Sequence, residues 1–197
     1  MPGPYLVIVH GSPATGKTTI ARFLAEQLNL PLVTKDDIKE RLFENLGWSD
    51  RDWSRKVGAA TYDILLYVVE QQLSAGASLI IESNFNSESD PIFEDLFKRV
   101  RFEPVQIICQ ASRDVVLERF SSRQARGLRH PGHVDTVVVE EIRSADHAEK
   151  TRPLSIGGEV IELDTDDFER LDLVGVAARV SKILGPLTAE EAKTPEQ

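Results

Sequence analysis

The stretch Gly11-Ser12-Pro13-Ala14-Thr15-Gly16-Lys17-Thr18 sets two glycines, a lysine and a hydroxyl at the G-x-x-x-x-G-K-[ST] spacing. Holding a polyphosphate is the chemistry that needs this spacing. Glycines at both ends let the backbone curl so that successive N–H groups point inward at phosphate oxygens. A helix opening near Lys17, with Thr19 in its first turn, adds unpaired N–H groups and the positive end of its dipole. Lys17 brings a mobile charge to the β- and γ-phosphates, and Thr18 a hydroxyl to Mg²⁺. With glycine near 7% of residues, a chain of this length matches by accident about once in a hundred or less. Gly11 to Thr19 is therefore read as a nucleoside triphosphate site. Thr34-Lys35-Asp36-Asp37 also matches T-K-x-D, a guanine signature, and Asp172 to Gly175 matches D-x-x-G. Their order is the reverse of that in a GTPase, so both are read as coincidences and ATP is favoured.

Transfer of a phosphoryl group to a hydroxyl needs a carboxylate near the γ-phosphate to take or orient the acceptor's proton. Asp36 and Asp37 follow a short strand, at the carboxyl edge where open α/β sheets bind ligands. Asp36 is nearer the strand and is the candidate base. The plainer alternative is that both acids serve the start of a helix. Lys39, one turn on, is placed to hold an acceptor anion or the γ-phosphate. Glu82 closes the run Leu79-Ile80-Ile81, where a carboxylate would hold the magnesium shell through water. Ser83, Asn84 and Asn86 follow it, either lining an acceptor pocket or supplying ordinary loop polarity.

From Arg113 to His133 five arginines (Arg113, Arg119, Arg123, Arg126 and Arg129) stand against Asp114 and Glu118, in a chain of net charge −9. Arg119, Arg123 and Arg126 share one helix face, suited to charge spread over transferring oxygens. A solvated helix face is the alternative, chiefly for Arg119. Arg129-His130-Pro131-Gly132-His133 reads as acceptor or phosphate contacts through Arg129 and His130, as a stiff loop, or least of all as a metal pair. Trp48 and Trp53 either wall an acceptor pocket or pack into the core.

The elements that must position these groups alternate. Strands are expected at Tyr5–His10, Leu32–Thr34, Ser78–Ile81, Val105–Cys109 and Glu159–Leu163, the apolar runs that suit a sheet buried on both faces. Helices are expected from Lys17 to Leu28, around Ile38 to Leu46, at Asp52–Ser74, at Asp90–Val100 with Asp90 as cap, at Arg113–Arg126, at Asp135–Ala148 and at Leu171–Leu184. This pattern predicts an α/β fold, the P-loop NTPase three-layer α/β/α sandwich, with a mostly parallel sheet and a helical lid at about 119–135. One domain spans 1–184 and a flexible tail 185–197. The 197 residues, 41% hydrophobic and 28% charged, fit one soluble globular domain. The acidic balance disfavours nucleic acid or an anionic membrane as a partner. The lone Cys109, with no apolar run long enough to span a bilayer and no signal-like start, gives a cytoplasmic expectation.

Together the P-loop, Thr34 to Asp37, Ile80-Ile81-Glu82-Ser83 and Arg123 to His133 resemble the small P-loop kinases grouped as AAA-domain phosphotransferases. These are similar to phage polynucleotide kinase, chloramphenicol phosphotransferase and the zeta-toxin kinases, and the resemblance spans about Tyr5 to Leu184. It implies ATP, Mg²⁺ and phosphoryl transfer to a hydroxyl, with Asp36 as general base and Arg123 and Arg126 of a mobile lid as phosphate clamps. Two residues depart from the pattern: Lys39 stands where polynucleotide kinases carry arginine, and Glu82 where an aspartate is usual. The resulting expectation is an ATP-dependent kinase for a small hydroxyl-bearing acceptor. The alternatives are a polynucleotide 5′-hydroxyl kinase, a toxin-like sugar-nucleotide kinase, or an ATP-binding switch with slow hydrolysis.

Overall fold

The computed structural model describes residues 3–127, 129–134, 139–140 and 151–185. Five strands, β1 (Tyr5–Gly11), β2 (Leu32–Thr34), β3 (Leu79–Glu82), β4 (Glu103–Gln110) and β5 (Glu159–Asp164), form one sheet in the order β2-β3-β1-β4-β5. Every pairing is parallel. The helices are α1 (Lys17–Leu28), α2 (Lys35–Leu46), α3 (Arg51–Ser74), α4 (Asp90–Arg99), α5 (Arg113–Ala125) and α6 (Leu173–Leu184).

The two-residue period of a strand sends neighbouring side chains to opposite faces, so each apolar run feeds two cores. Val7, Val9, Ile80, Val105 and Ile107 meet Ile20 and Leu24 of α1 and Val180 and Leu184 of α6. Leu6, Ile8, Leu79 and Ile81 meet Leu65, Val69 and Leu73 of α3 and Phe93 and Leu96 of α4. That is the expected three-layer sandwich, with the sheet fully parallel rather than mostly so. Among the described residues no helix is long and apolar enough to cross a membrane.

Three local expectations are corrected. β3 runs from Leu79 to Glu82 rather than from Ser78 to Ile81, and Glu82 pairs with Val9 of β1 and Thr34 of β2, so strand register holds this carboxylate. Asp90 lies inside α4 rather than capping it, because a 3₁₀ turn at Ser87–Ser89 precedes the helix. Its carboxylate instead accepts from Ser155 N at 2.9 Å and Arg152 Nη2 at 2.8 Å, fastening the segment that leads to β5. The last helix begins at Leu173, where Asp172 Oδ1 accepts from Gly175 N at 2.8 Å. The D-x-x-G match is thus a helix cap. The helix expected at Asp135–Ala148 lies outside the described residues except for 139 and 140, and so does the tail from 186 to 197.

Candidate functional site

The loop between β1 and α1 has the backbone its glycines require. Gly11 sits at φ +144°, where a Cβ would overlap the Cys109 carbonyl oxygen of β4, and Gly16 at φ +82°, where a Cβ would come within 2.6 Å of Phe168. Both are the open, left-handed conformations that glycine adopts without strain. Lys17 is buried and folds back to donate to Ser12 O at 2.7 Å, and Thr15 Oγ1 donates to the same oxygen at 2.8 Å. Burial drives the Lys17 pKa down, against the opposing pull of Glu82. A buried ammonium resting on a loop carbonyl is poised to exchange that carbonyl for phosphate oxygens. Thr18 Oγ1 donates directly to Glu82 Oε2 at 2.9 Å. Glu82 is 5% exposed. Its pKa is raised by burial, while Lys17 and the Thr18 bond pull the other way. This pair of hard oxygens is the donor set that Mg²⁺ takes, and a loop turned by two positive-φ glycines beside a buried cation is what a triphosphate takes. The residues fit both groups.

The N-cap of α2 is Thr34 rather than Asp36. Thr34 Oγ1 accepts from Asp37 N at 3.1 Å, while Asp36 and Asp37 both stand in the first turn, where the helix dipole favours acids. Asp36 Oδ2 accepts from Arg129 Nη2 at 3.0 Å, and Oδ1 lies 3.4 Å from Lys35 Nζ. Burial works against ionisation, but Lys35, Arg129, His133 and Lys17 outweigh it and hold the Asp36 pKa at about 2. Lys39, 5% exposed, donates to Ser54 Oγ at 2.9 Å, with its ammonium 5.3 Å from the Phe43 ring centre. Burial, helped by Lys35, lowers its pKa to about 8.

The Arg129–His133 segment docks on α2. Arg129 Nη2 also meets His133 Nδ1 at 3.2 Å, so that nitrogen is the acceptor and Nε2 carries the proton given to Glu40 Oε1 at 2.9 Å. His133 is buried, and desolvation lowers its pKa to about 3, keeping the ring neutral. His130 stacks on Phe43 at 5.2 Å and meets Trp48 edge-on at 4.7 Å. It is therefore a packing residue outside the cavity, and Trp48 walls His130 rather than an acceptor. Both histidines pack on Phe43, while His130 Nε2 lies 3.2 Å from Glu44 and His133 Nε2 2.9 Å from Glu40; among the described residues no group of three or more His, Cys, Asp or Glu side chains could hold a metal ion. Gly132 passes the Phe43 ring so closely that a Cβ would lie 2.7 Å from it. Gly132→Ala is accordingly expected to cost about 1–3 kcal/mol, read as a lowered urea midpoint with an unchanged slope.

These groups line one cavity of about 750 Å³. The P-loop residues Pro13, Ala14 and Gly16–Thr19 line it with Arg119, Arg123 and Phe168. Lys35, Asp36, Lys39, Arg129 and His133, the α3 face and Glu82, Ser83 and Asn84 line it too. Ser83, Asn84 and Tyr62 are joined by hydrogen bonds of 3.0 to 3.3 Å. Arg123 lies over the Phe120 ring at 4.7 Å. Three candidates are elsewhere. Arg126 is exposed beyond the end of α5, His130 packs as described, and Asn86 caps the 3₁₀ turn before α4.

Arg119 is the residue that spacing undervalued. Its guanidinium donates to Ala14 O at 3.3 Å, Thr165 O at 2.5 Å and Asp166 O at 3.4 Å, tying the P-loop to the segment after β5. No local pattern reveals that, because its partners lie about a hundred residues away on one side and half that on the other. The α3 face was legible in principle: Arg51, Ser54, Arg55, Gly58, Ala59 and Tyr62 recur at three and four.

A family model described as an AAA domain matches residues 6–146. Among solved structures, a candidate kinase from Chloroflexus aurantiacus is 42% identical, with a TM-score of 0.85, over 93% of this chain and 100% of that one. Cytidylate kinase of Methanothermobacter thermautotrophicus is 24% identical over 172 residues, 86% of this chain and 92% of that protein. Adenylate kinase 8 of Mus musculus is 35% identical over 68 residues, 34% of this chain. The chain spans between 14% and 25% of the length of the first curated relatives it matches.

Proposed function

The chain belongs to the AAA-domain family, and on that premise we propose that it is an ATP-dependent kinase passing the γ-phosphoryl group to a hydroxyl of a small-molecule acceptor. One observation carries the reading: the phosphate loop and the Asp36 carboxylate line the same cavity. The chain is of kinase type in its P-loop fold, and its fold and relatives point to phosphoryl transfer. ATP, Mg²⁺ and the alcohol acceptor are the finer part of the proposal.

In that mechanism the loop amides and Lys17 hold the β- and γ-phosphates, Lys17 leaving the Ser12 carbonyl to do so. Thr18 and Glu82 would hold Mg²⁺, directly and through water, and the metal would supply charge neutralisation between the phosphates. Asp36 accepts the acceptor's proton as the acceptor oxygen bonds to the γ-phosphorus and the bond to the β–γ bridging oxygen breaks. Arg129 fixes the carboxylate's orientation, and His133 and Glu40 fix Arg129. Arg119 and Arg123 are placed to balance charge on the phosphate oxygens. In this reading the described residues of the lid, 119–127 and 129–134, border the cavity through Arg119, Phe120, Ser122, Arg123, Arg129 and His133, with Arg129 on Asp36 as the inner contact.

The test is transfer from [γ-³²P]ATP with Mg²⁺ to nucleosides, sugars, aminoglycosides, chloramphenicol-like alcohols and 5′-hydroxyl oligonucleotides. Label on one small-molecule class, absent with Asp36→Asn, is the expected result. Label on oligonucleotides alone replaces the acceptor class, and acceptor-independent phosphate release equal in both proteins replaces the kinase by a switch.

A further inference from the structure

One buried hydroxyl outside the P-loop motif bears directly on it. Thr165 follows β5, and its amide carries the β4–β5 ladder one residue further by donating to Gln110 O at 2.8 Å. The residue is 0% exposed. Its Oγ1 lies 2.8 Å from Thr15 O and 2.9 Å from Gln110 O. A threonine hydroxyl has one proton to give. Gln110 O already accepts from the Thr165 amide, so the proton goes to Thr15 O. The hydroxyl oxygen accepts in turn from Arg119 Nη1 at 3.5 Å, a charged donor that polarises the bond beyond it.

That bond sets a backbone direction. A trans peptide is planar, so the Thr15 carbonyl and the Gly16 N–H point opposite ways. With Thr15 O held on the buried side by Thr165, the Gly16 N–H is turned to the other side, where Gly16 lines the cavity. Arg119 acts alike one peptide earlier, donating to Ala14 O at 3.3 Å and so setting the direction of the Thr15 N–H. Three residues after Thr165, Phe168 packs against Gly16 in the space a Cβ would need. The anchor itself is stiff. Threonine branches at Cβ and has few rotamers, and its backbone is fixed by the sheet.

We propose that Thr165 is a positioning residue of the phosphate loop: by holding the Thr15 carbonyl it aims the Gly16 amide at the phosphate oxygens, and it touches no substrate itself. The kinase reading supplies what the loop holds; how the loop is held rests on the bond from Thr165 to Thr15. A threonine that only closed the end of β5 would stabilise the sheet and leave phosphate affinity alone. Thr165 differs because its partner is a carbonyl of the motif, 150 residues earlier in the chain.

The test separates aim from stability. The full chain, as wild type, Thr165→Val and Thr165→Ser, is titrated calorimetrically with ATP and with tripolyphosphate, each with Mg²⁺, and its urea midpoint is measured without ligand. Thr165→Val keeps the shape and removes the donor from a buried carbonyl, and should weaken both ligands roughly tenfold. Thr165→Ser restores the hydroxyl and should bind both within about threefold of wild type. Amide exchange without ligand should quicken across residues 11–19 in T165V while α6 keeps its protection. Thr165→Ala, which sets no methyl against the two carbonyls, carries the same test where T165V does not fold. A lowered urea midpoint with both affinities unchanged makes Thr165 merely structural and overturns the proposal, as does a T165S that binds as weakly as T165V. A wild type that takes tripolyphosphate but transfers no label from ATP overturns the kinase reading, and loss of tripolyphosphate in T165V then keeps the role of Thr165. A wild type that binds neither ligand overturns both.

Discussion

Asp36→Asn is expected to lower phosphoryl transfer by ~10²-fold or more while ATP affinity changes by less than about twofold. The substitution is nearly isosteric, and the amide oxygen can still accept from Arg129 Nη2. Thr34 rather than Asp36 caps α2, so the helix keeps its first turn. What the variant loses is the negative charge that, in the proposed mechanism, takes or orients the hydroxyl proton. Lys17, Thr18 and the loop amides are untouched, so nucleotide binding stays. The pH dependence carries a sign that separates Asp36 from its neighbours. Its pKa of about 2 lies below the ordinary carboxylate value, so the ionised form, and the stability its ion pairs give, is complete above about pH 4 and is lost as pH falls through 2. Turnover should therefore show no acid limb assignable to Asp36 between pH 5 and 8. Removing the guanidinium in Arg129→Met raises that pKa and brings an acid limb upward. Paired measurements of kcat and of mant-ATP affinity across pH decide it; unchanged turnover in Asp36→Asn would remove the residue from the mechanism.

The sheet and the nucleotide end were legible because their signals are local. Apolar runs such as Tyr5–His10 and Val105–Cys109 have only one way to be buried on both sides, and the P-loop spacing states its own backbone conformation. Asp36 and Glu82 were placed by the rule that ligands meet strands at their carboxyl ends, and strand register puts Thr34 beside Glu82. The Arg129–His133 pentapeptide was harder. Its composition suggested ligand contacts, yet Gly132 and His130 are fixed by the Phe43 ring and only Arg129 and His133 turn toward the cavity. Packing against a helix some ninety residues earlier leaves no trace in the spacing of five residues. The same holds for Asp90, which a Pro at the next position made look like a cap, and whose carboxylate is taken by Arg152 and Ser155.

Arg119 and Arg126 turn that lesson into a measurement, because the sequence ranked them in the opposite order to their surroundings. Arg119→Ala removes a charged donor from the carbonyls of Ala14, Thr165 and Asp166. Acceptors left without a donor cost about 1–3 kcal/mol, so its urea midpoint should fall well below that of the wild type. The loss also frees the P-loop at Ala14, which sits at φ +62° and is held in that conformation by its neighbours. A loop that must be reordered by its ligand binds that ligand more weakly, and ATP affinity should drop by ~10²-fold, with part of the loss appearing as slower association. Arg126, exposed past the end of α5, has no comparable hold on the described residues. Arg126→Ala should leave the midpoint within about 0.5 kcal/mol of wild type. Its turnover then reports on the lid alone. A fall in kcat with unchanged stability means that closure carries Arg126 to the phosphates, and an unchanged kcat leaves Arg119 and Arg123 as the arginines of this helix that meet the nucleotide.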